Sequence, residues 1–263
     1  MPPMNRDTEL WLRRPFSRPE ASVLLVCFPH AGGAASSFRP WQALLPTGID
    51  AVTVQYPGRQ DRFAEDPVDS MDVMVQRIAD ALAGALEGPY ALFGHSMGSA
   101  IAYEVALELR RRELPPPVRL LASGRPAPRH ATGGEVHRRG DEALAAELVR
   151  LGGTPPEVLA DPELRATVLR CVRGDYRLIE CYRPAPHPPL DCPVSVLTGD
   201  RDPECDASAA RTWADVTRAP LDVTVFDGDH FFLVPQRERV AEVIARDLGL
   251  PATRPARIWP STP

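Results

Sequence analysis

Short apolar, β-branched runs alternate along this chain with longer stretches whose apolar residues recur every three or four positions. The continuous apolar run at 22–28 predicts a buried strand, followed by a Gly-rich loop and a short amphipathic helix near 38–45. Residues 49–54 predict a second strand, and 70–86 a helix with a stripe through Val73, Val75, Ile78, Ala79 and Leu82. A short strand at 90–93, a helix over 97–112 carrying Ile101, Val105 and Leu109, and a strand at 119–123 follow. From about 133 to 183 the strand rhythm stops. Helices are expected at 143–151 and 161–182, the second opening Asp161-Pro162-Glu163, a cap followed by proline in the first turn. Its expected apolar face is Leu164, Val168, Val172, Tyr176 and Ile179, with Arg165, Arg173, Arg177 and Glu180 turned elsewhere. Strands at 194–198 and 221–226, with helices at 207–216 and 235–248, resume the alternation.

Strand–helix alternation of this kind predicts an α/β fold, a mostly parallel sheet flanked by helices. The expected layout is a core formed by 1–132 and 184–250, a helical lid insertion at 133–183, and a flexible Pro-rich tail at 251–263. The pairs Gly133-Gly134 and Gly152-Gly153 are candidate hinges for the lid, whose apolar faces either line an acyl chamber or simply pack on the core. Composition changes the picture only by exclusion. The chain of 263 residues is 44% hydrophobic and 25% charged, an ordinary globular mixture. With 30 basic against 35 acidic residues and a net charge of −5, there is no overall positive field to hold nucleic acid. The apolar run at 23–28 falls far short of the ~20 residues a bilayer span needs. No membrane partner and no targeting segment are expected. The five cysteines (27, 171, 181, 192 and 205) show no Cys-x-x-Cys spacing, which suggests reduced thiols in a cytoplasm, with no metal site. Nothing in the pattern demands more than a monomer.

Gly94-His95-Ser96-Met97-Gly98 matches G-x-S-x-G between an expected strand and an expected helix. That context is what a nucleophile elbow requires: the glycines permit a sharp turn, and the helix N-terminus favours developing negative charge at Ser96. Of the six histidines, His230 lies in the loop after the last expected strand, at the sheet end where ligand sites collect. It is the candidate base. His130, His137 and His187 read as solvent-facing, and the His95 side chain should point away from its serine neighbour. Gly199-Asp200-Arg201-Asp202-Pro203 offers two acids; Asp202 is favoured, while Asp200 fits the turn-closing use of loop aspartates. The order Ser96, Asp202 (or Asp200), His230 is that of α/β hydrolases. Oxyanion donors are expected at the backbone N–H of Met97 and in the loop Pro29-His30-Ala31-Gly32-Gly33.

Taken in order with Tyr56-Pro57-Gly58-Arg59 and Gly228-Asp229-His230-Phe231-Phe232, these motifs resemble those of type II thioesterases of polyketide synthase and nonribosomal peptide synthetase systems. The likeness spans about 21–248. It implies an α/β-hydrolase fold and hydrolysis of acyl chains from the phosphopantetheine arm of an acyl or peptidyl carrier protein, clearing stalled or wrongly primed modules. It further implies the triad Ser96, Asp202 and His230, oxyanion donors at Ala31 and Met97, and no cofactor. Carrier proteins are generally acidic, so Arg125, Arg129, Arg138 and Arg139, with Arg59 and Arg62 in another loop, are candidate docking charges. The rival readings are a serine esterase or lipase, an acyltransferase with another acceptor in place of water, and a silent binding protein on the same fold.

Overall fold

The computed structural model describes residues 6–154 and 156–251, so the expected tail lies, apart from Pro251, outside the described residues. Among the described residues, seven strands form one sheet: β1 (Leu12–Arg13), β2 (Val23–Phe28), β3 (Ile49–Val54), β4 (Tyr90–His95), β5 (Arg119–Ser123), β6 (Val194–Gly199) and β7 (Leu221–Phe226). The described helices are α1 (Arg6–Trp11), α2 (Met71–Ala83), α3 (Met97–Arg111), α4 (Asp141–Leu151), α5 (Pro156–Ala160), α6 (Pro162–Cys181), α7 (Ala207–Arg211) and α8 (Arg237–Asp247). The strand order is β1-β3-β2-β4-β5-β6-β7, parallel throughout except where the edge strand β1 runs against β3.

Both faces of the sheet are covered, and the two-residue period of the strands deals side chains to each. Val26, Phe28, Val52, Val54, Leu92, Leu120 and Val196 enter one core with α2 and α3. Leu25, Cys27, Ala51, Phe93, Leu121 and Leu197 enter the other with α8. Each fully buried Phe or Leu contributes about 1.5–3 kcal/mol. The chain order reverses between β2 and β4, so the loops leaving those two strands diverge at their carboxyl ends and open a crevice there.

Two expected helices are altered. The segment near 38–45 is a 3₁₀ helix over Ala35–Ala43, because Pro40 inside it has no N–H to give and crowds the preceding turn. The segment at 207–216 breaks into α7 and a 3₁₀ turn over Thr212–Val216. Among the described residues of 133–183 there is no strand. There α4 and α6 share a small core of Leu144, Ala145, Leu148, Leu169 and Val172. Asp161 caps α6 as its sequence predicts, accepting from the amides of Glu163 and Leu164 at 2.9 Å each. Of the expected apolar face of α6, Val168, Val172, Tyr176 and Ile179 line a cavity, whereas Leu164 is exposed.

Candidate active site

Ser96 sits between β4 and α3 at φ 53°, ψ −117°, a conformation an L-residue holds only when its surroundings enforce it, at a cost of about 1–3 kcal/mol. The enforcement is visible. A Cβ on Gly94 would lie 2.2 Å from the Gly98 carbonyl oxygen, and one on Gly98 would lie 2.0 Å from that of Phe28. Both glycines of the motif are therefore required by backbone crossing backbone, and the second presses the elbow onto the end of β2. The Ser96 amide donates to the Ser123 carbonyl at 2.7 Å, fixing the turn to β5 as well.

His230 follows β7 and is almost fully buried. Its Nδ1 lies 2.9 Å and 3.0 Å from the two carboxylate oxygens of the buried Asp202. With Nδ1 taken, Nε2 is left for the cavity that His230 and Ser96 both line. The neighbouring acid is used differently: Asp200 is exposed and accepts from the Gly228 amide at 2.9 Å, closing the turn before His230. The geometry thus pairs the histidine with Asp202.

The loop after β2 supplies the facing wall. Gly32 donates its amide to Asp175 at 2.7 Å and Gly33 donates to the His30 carbonyl at 2.9 Å. Among the described residues, the amides of Ala31 and Met97 donate to no protein acceptor, and both residues line the cavity beside Ser96. Two uncommitted N–H groups next to a hydroxyl are the composition of an oxyanion hole. The cavity has a volume of about 360 Å³. The segments that follow β2, β4, β5, β6 and β7 provide its floor, through Ala31, Ser96, Arg125, Glu204 and His230, and Val136, Leu148, Val158, Val168, Val172 and Ile179 of the 133–183 segment provide an apolar roof.

Sequence reasoning missed what holds this wall in place. Asp175, on the inner face of α6, is completely buried; its carboxylate takes both Nη atoms of Arg59 at 2.8 Å as well as the Gly32 amide. Arg59 Nη1 also donates to the Gly33 carbonyl at 2.9 Å. Burial alone would lower the Arg59 pKa, but the Asp175 carboxylate outweighs it and holds the guanidinium above its ordinary value. A signal existed: Asp175 continues the spacing Val168, Val172, Ile179, a carboxylate in an apolar stripe. Arg59 and Arg62 are consequently no docking charges. Both are buried, the second in a bidentate pair with Glu65 at 2.7 Å and 2.6 Å. Glu180 is likewise turned inward, accepting from the Val136 and His137 amides at 2.9 Å and contacting the His137 ring at 2.5 Å. His137 is thus half-buried rather than solvent-facing, whereas His130 and His187 are exposed.

His95 is fully buried, with Nδ1 3.0 Å from the Ser123 hydroxyl and its ring 5.0 Å from that of His230. His30 stands 5.8 Å from His95, centroid to centroid. Burial, then the neighbouring His230 and Arg59, push the His30 pKa down to about 3, and burial drives His95 well below its usual value. Both rings are neutral packing around His230. The candidate hinge glycines have packing reasons: Gly152 ends α4 in the left-handed conformation at φ +81°, and a Cβ on Gly134 or Gly153 would lie 2.2 Å from Glu180 or Phe231.

Residues 24–248 match the family model described as Thioesterase domain. The chain is 40% identical over 247 residues to the thioesterase PikA5 of Streptomyces venezuelae, covering 94% of this chain and 88% of that one. The solved type II thioesterase BorB from the borrelidin biosynthetic cluster matches with a TM-score of 0.82 at 39% identity, covering 93% of this chain and 98% of that one. The RedJ thioesterase of the prodiginine pathway in Streptomyces coelicolor matches with a TM-score of 0.83 at 38% identity, covering 88% and 87% respectively.

Proposed function

This chain belongs to the thioesterase family, as a type II thioesterase of the α/β-hydrolase fold, and on that premise we propose that it hydrolyses acyl thioesters from the phosphopantetheine arm of carrier proteins, clearing aberrant or stalled acyl groups from a polyketide or nonribosomal peptide assembly line. The observation that carries the reading is the convergence of Ser96, the His230–Asp202 pair and two uncommitted amides on one roofed cavity. Ser96 Oγ attacks the thioester carbonyl carbon as His230 Nε2 takes its proton. Asp202, on Nδ1, fixes the tautomer and stabilises the imidazolium, while the amides of Ala31 and Met97 receive the oxyanion. The carbon–sulfur bond breaks as the tetrahedral intermediate collapses. A thiol with a pKa near ~8.5 leaves with little acid assistance, and His230 returns the proton to it. Water, deprotonated by the same histidine, then attacks the acyl-serine and releases the acid.

The partner in this proposal is an acyl or peptidyl carrier protein, met by a monomer in the cytoplasm. Arg129, just before the segment that roofs the cavity, and Arg138 and Arg139, within it, are exposed and supply positive charge there. Replacing Arg138 and Arg139 together by Glu is expected to raise KM for carrier-bound substrate while leaving a small thioester unaffected; unchanged carrier turnover would remove the docking assignment. The test of the function itself is an intact-mass time course on a short-acyl carrier protein beside a matched free ester. Faster deacylation of the carrier supports the thioesterase; an inert carrier with rapid ester cleavage would make the protein an esterase.

A further inference from the structure

Arg125 differs from the other inward-turned arginines of the site in lacking a counter-ion. Arg59 and Arg62 each meet a carboxylate in bidentate fashion. Arg125 lines the same cavity as Ser96, yet its Nε is buried without a hydrogen-bond partner, and among the described residues no carboxylate reaches ion-pairing distance of its guanidinium. Burial holds its pKa below the ordinary guanidinium value, against a weaker opposing pull from Glu204 and Tyr182. The acids that share the cavity are engaged elsewhere: Glu147 and Glu204 hold Arg150 at 2.7 Å and 2.5 Å, and Glu180 holds His137 and two amides.

The backbone that projects Arg125 is fixed. Its carbonyl accepts from Trp213 Nε1 at 2.8 Å. The preceding Gly124, at φ +64°, is pressed so close to the site that a Cβ there would lie 2.8 Å from the His95 ring and 3.2 Å from that of His230. The guanidinium therefore springs from beside the base on a rigid mount and opens on the reacting cavity. A withdrawn cation without an acceptor costs stability, and a guanidinium can only donate. Whatever relieves it must bring acceptor oxygens.

We propose that Arg125 is a specificity-determining residue of the acyl chamber, donating to an oxygen carried by the acyl chain, so that the enzyme favours oxygen-bearing acyl groups over plain alkanoyl groups of the same length. The inference rests on the thioesterase reading. It is tested by kcat/KM for 3-hydroxybutanoyl and butanoyl thioesters, each on N-acetylcysteamine and on a carrier protein, with wild type, Arg125→Met and Arg125→Lys. Wild type prefers the hydroxyacyl substrate; Arg125→Met loses that preference by about tenfold or more on both thiols, and Arg125→Lys retains part of it. The preference is a ratio measured on one preparation, so partial unfolding of a variant cancels. An unchanged ratio in Arg125→Met overturns the inference. So does an equal loss for both acyl groups confined to the carrier-bound substrates, which would assign Arg125 to the pantetheine arm. Failure of wild type on all four substrates removes the thioesterase reading itself, and the inference with it.

Discussion

Replacing Asp175 by Asn changes one atom's chemistry and leaves the shape of the side chain intact. In the native protein one carboxylate oxygen accepts from the Gly32 amide at 2.7 Å and from Arg59 Nη1 at 2.8 Å, while the other accepts from Arg59 Nη2 at 2.8 Å. An amide placed to keep the first two bonds sets its NH₂ against Nη2, donor against donor. The opposite flip sacrifices both bonds of the first oxygen. Either way the charge of Arg59 stays in a site where the two side chains are 6% and 0% exposed. Removing one partner of a buried pair costs about 3–5 kcal/mol, a large part of a typical total of roughly 5–15. At about 2–4 °C per kcal/mol for a chain of this size, the midpoint of thermal unfolding should fall by about 6–20 °C. The bond to Gly32 also places the neighbouring Ala31 amide, so kcat should fall at temperatures where the variant is still folded, by up to about 10²–10³ if the oxyanion donor is lost. Melting by circular dichroism and turnover of a small thioester read the two effects separately. Replacing Arg59 and Asp175 together by Met should recover part of the stability without the rate, because the Gly32 amide is still released. An Asp175→Asn variant that melts within 2 °C of wild type (about 0.5–1 kcal/mol) and turns over normally would refute the idea that this pair anchors the loop.

The two acids after β6 give a paired prediction: Asp202→Asn lowers kcat by on the order of 10³–10⁴, through loss of the tautomer that Nδ1 requires, whereas Asp200→Asn costs less than about tenfold because it only closes a turn. Equal losses in the two variants would sink the assignment of the acid. Acid stability follows from His30 and His95, whose folded pKa values are depressed below the unfolded value of ~6.5. The unfolded chain binds more protons below that value, so stability present above pH ~6.5 is lost as pH falls, by up to about 1.4 kcal/mol per pH unit and ring. For His30 the window extends down to about 3. Thermal melts between pH 7.5 and 5 (a range spanning the ~6.5 midpoint) should show this slope, and His30→Gln should flatten it; an identical slope in the variant contradicts the account.

The strands β2 to β7 were legible as short apolar or alternating runs of five or six residues; β3, β5 and β7 fall on the expected bounds. The turn at Ser96 was legible because Gly94 answers a crossing inside the motif itself, whereas the contact of Gly98 with the end of β2 is set by the fold. By contrast, β1 is two residues whose only signature is pairing with β3, and no local pattern announces it. The basic residues show the same limit. Arg59 looks like a surface charge until α6 brings Asp175 to it from 116 positions away. His137 was misplaced for the same reason, since Glu180 meets it from 43 positions away, and Arg125 because the walls of the cavity it lines come from segments distant in sequence. Of the apolar stripe expected on α6, four residues line the cavity and Leu164 is exposed; Asp175 within it went unremarked, and that residue ties the cavity roof to the loop after β2.

The central claim is that Ser96 carries the acyl group, and the direct measurement is the mass of the enzyme itself. Mixing the protein briefly with excess short-acyl thioester, quenching in acid and mapping peptides should place one acyl adduct on the peptide containing Ser96. Asp202→Asn, slowed in both acylation and deacylation, should form it more slowly, and Ser96→Ala should show neither adduct nor turnover. Turnover that persists in Ser96→Ala, or an acyl group found on another residue, would contradict the account.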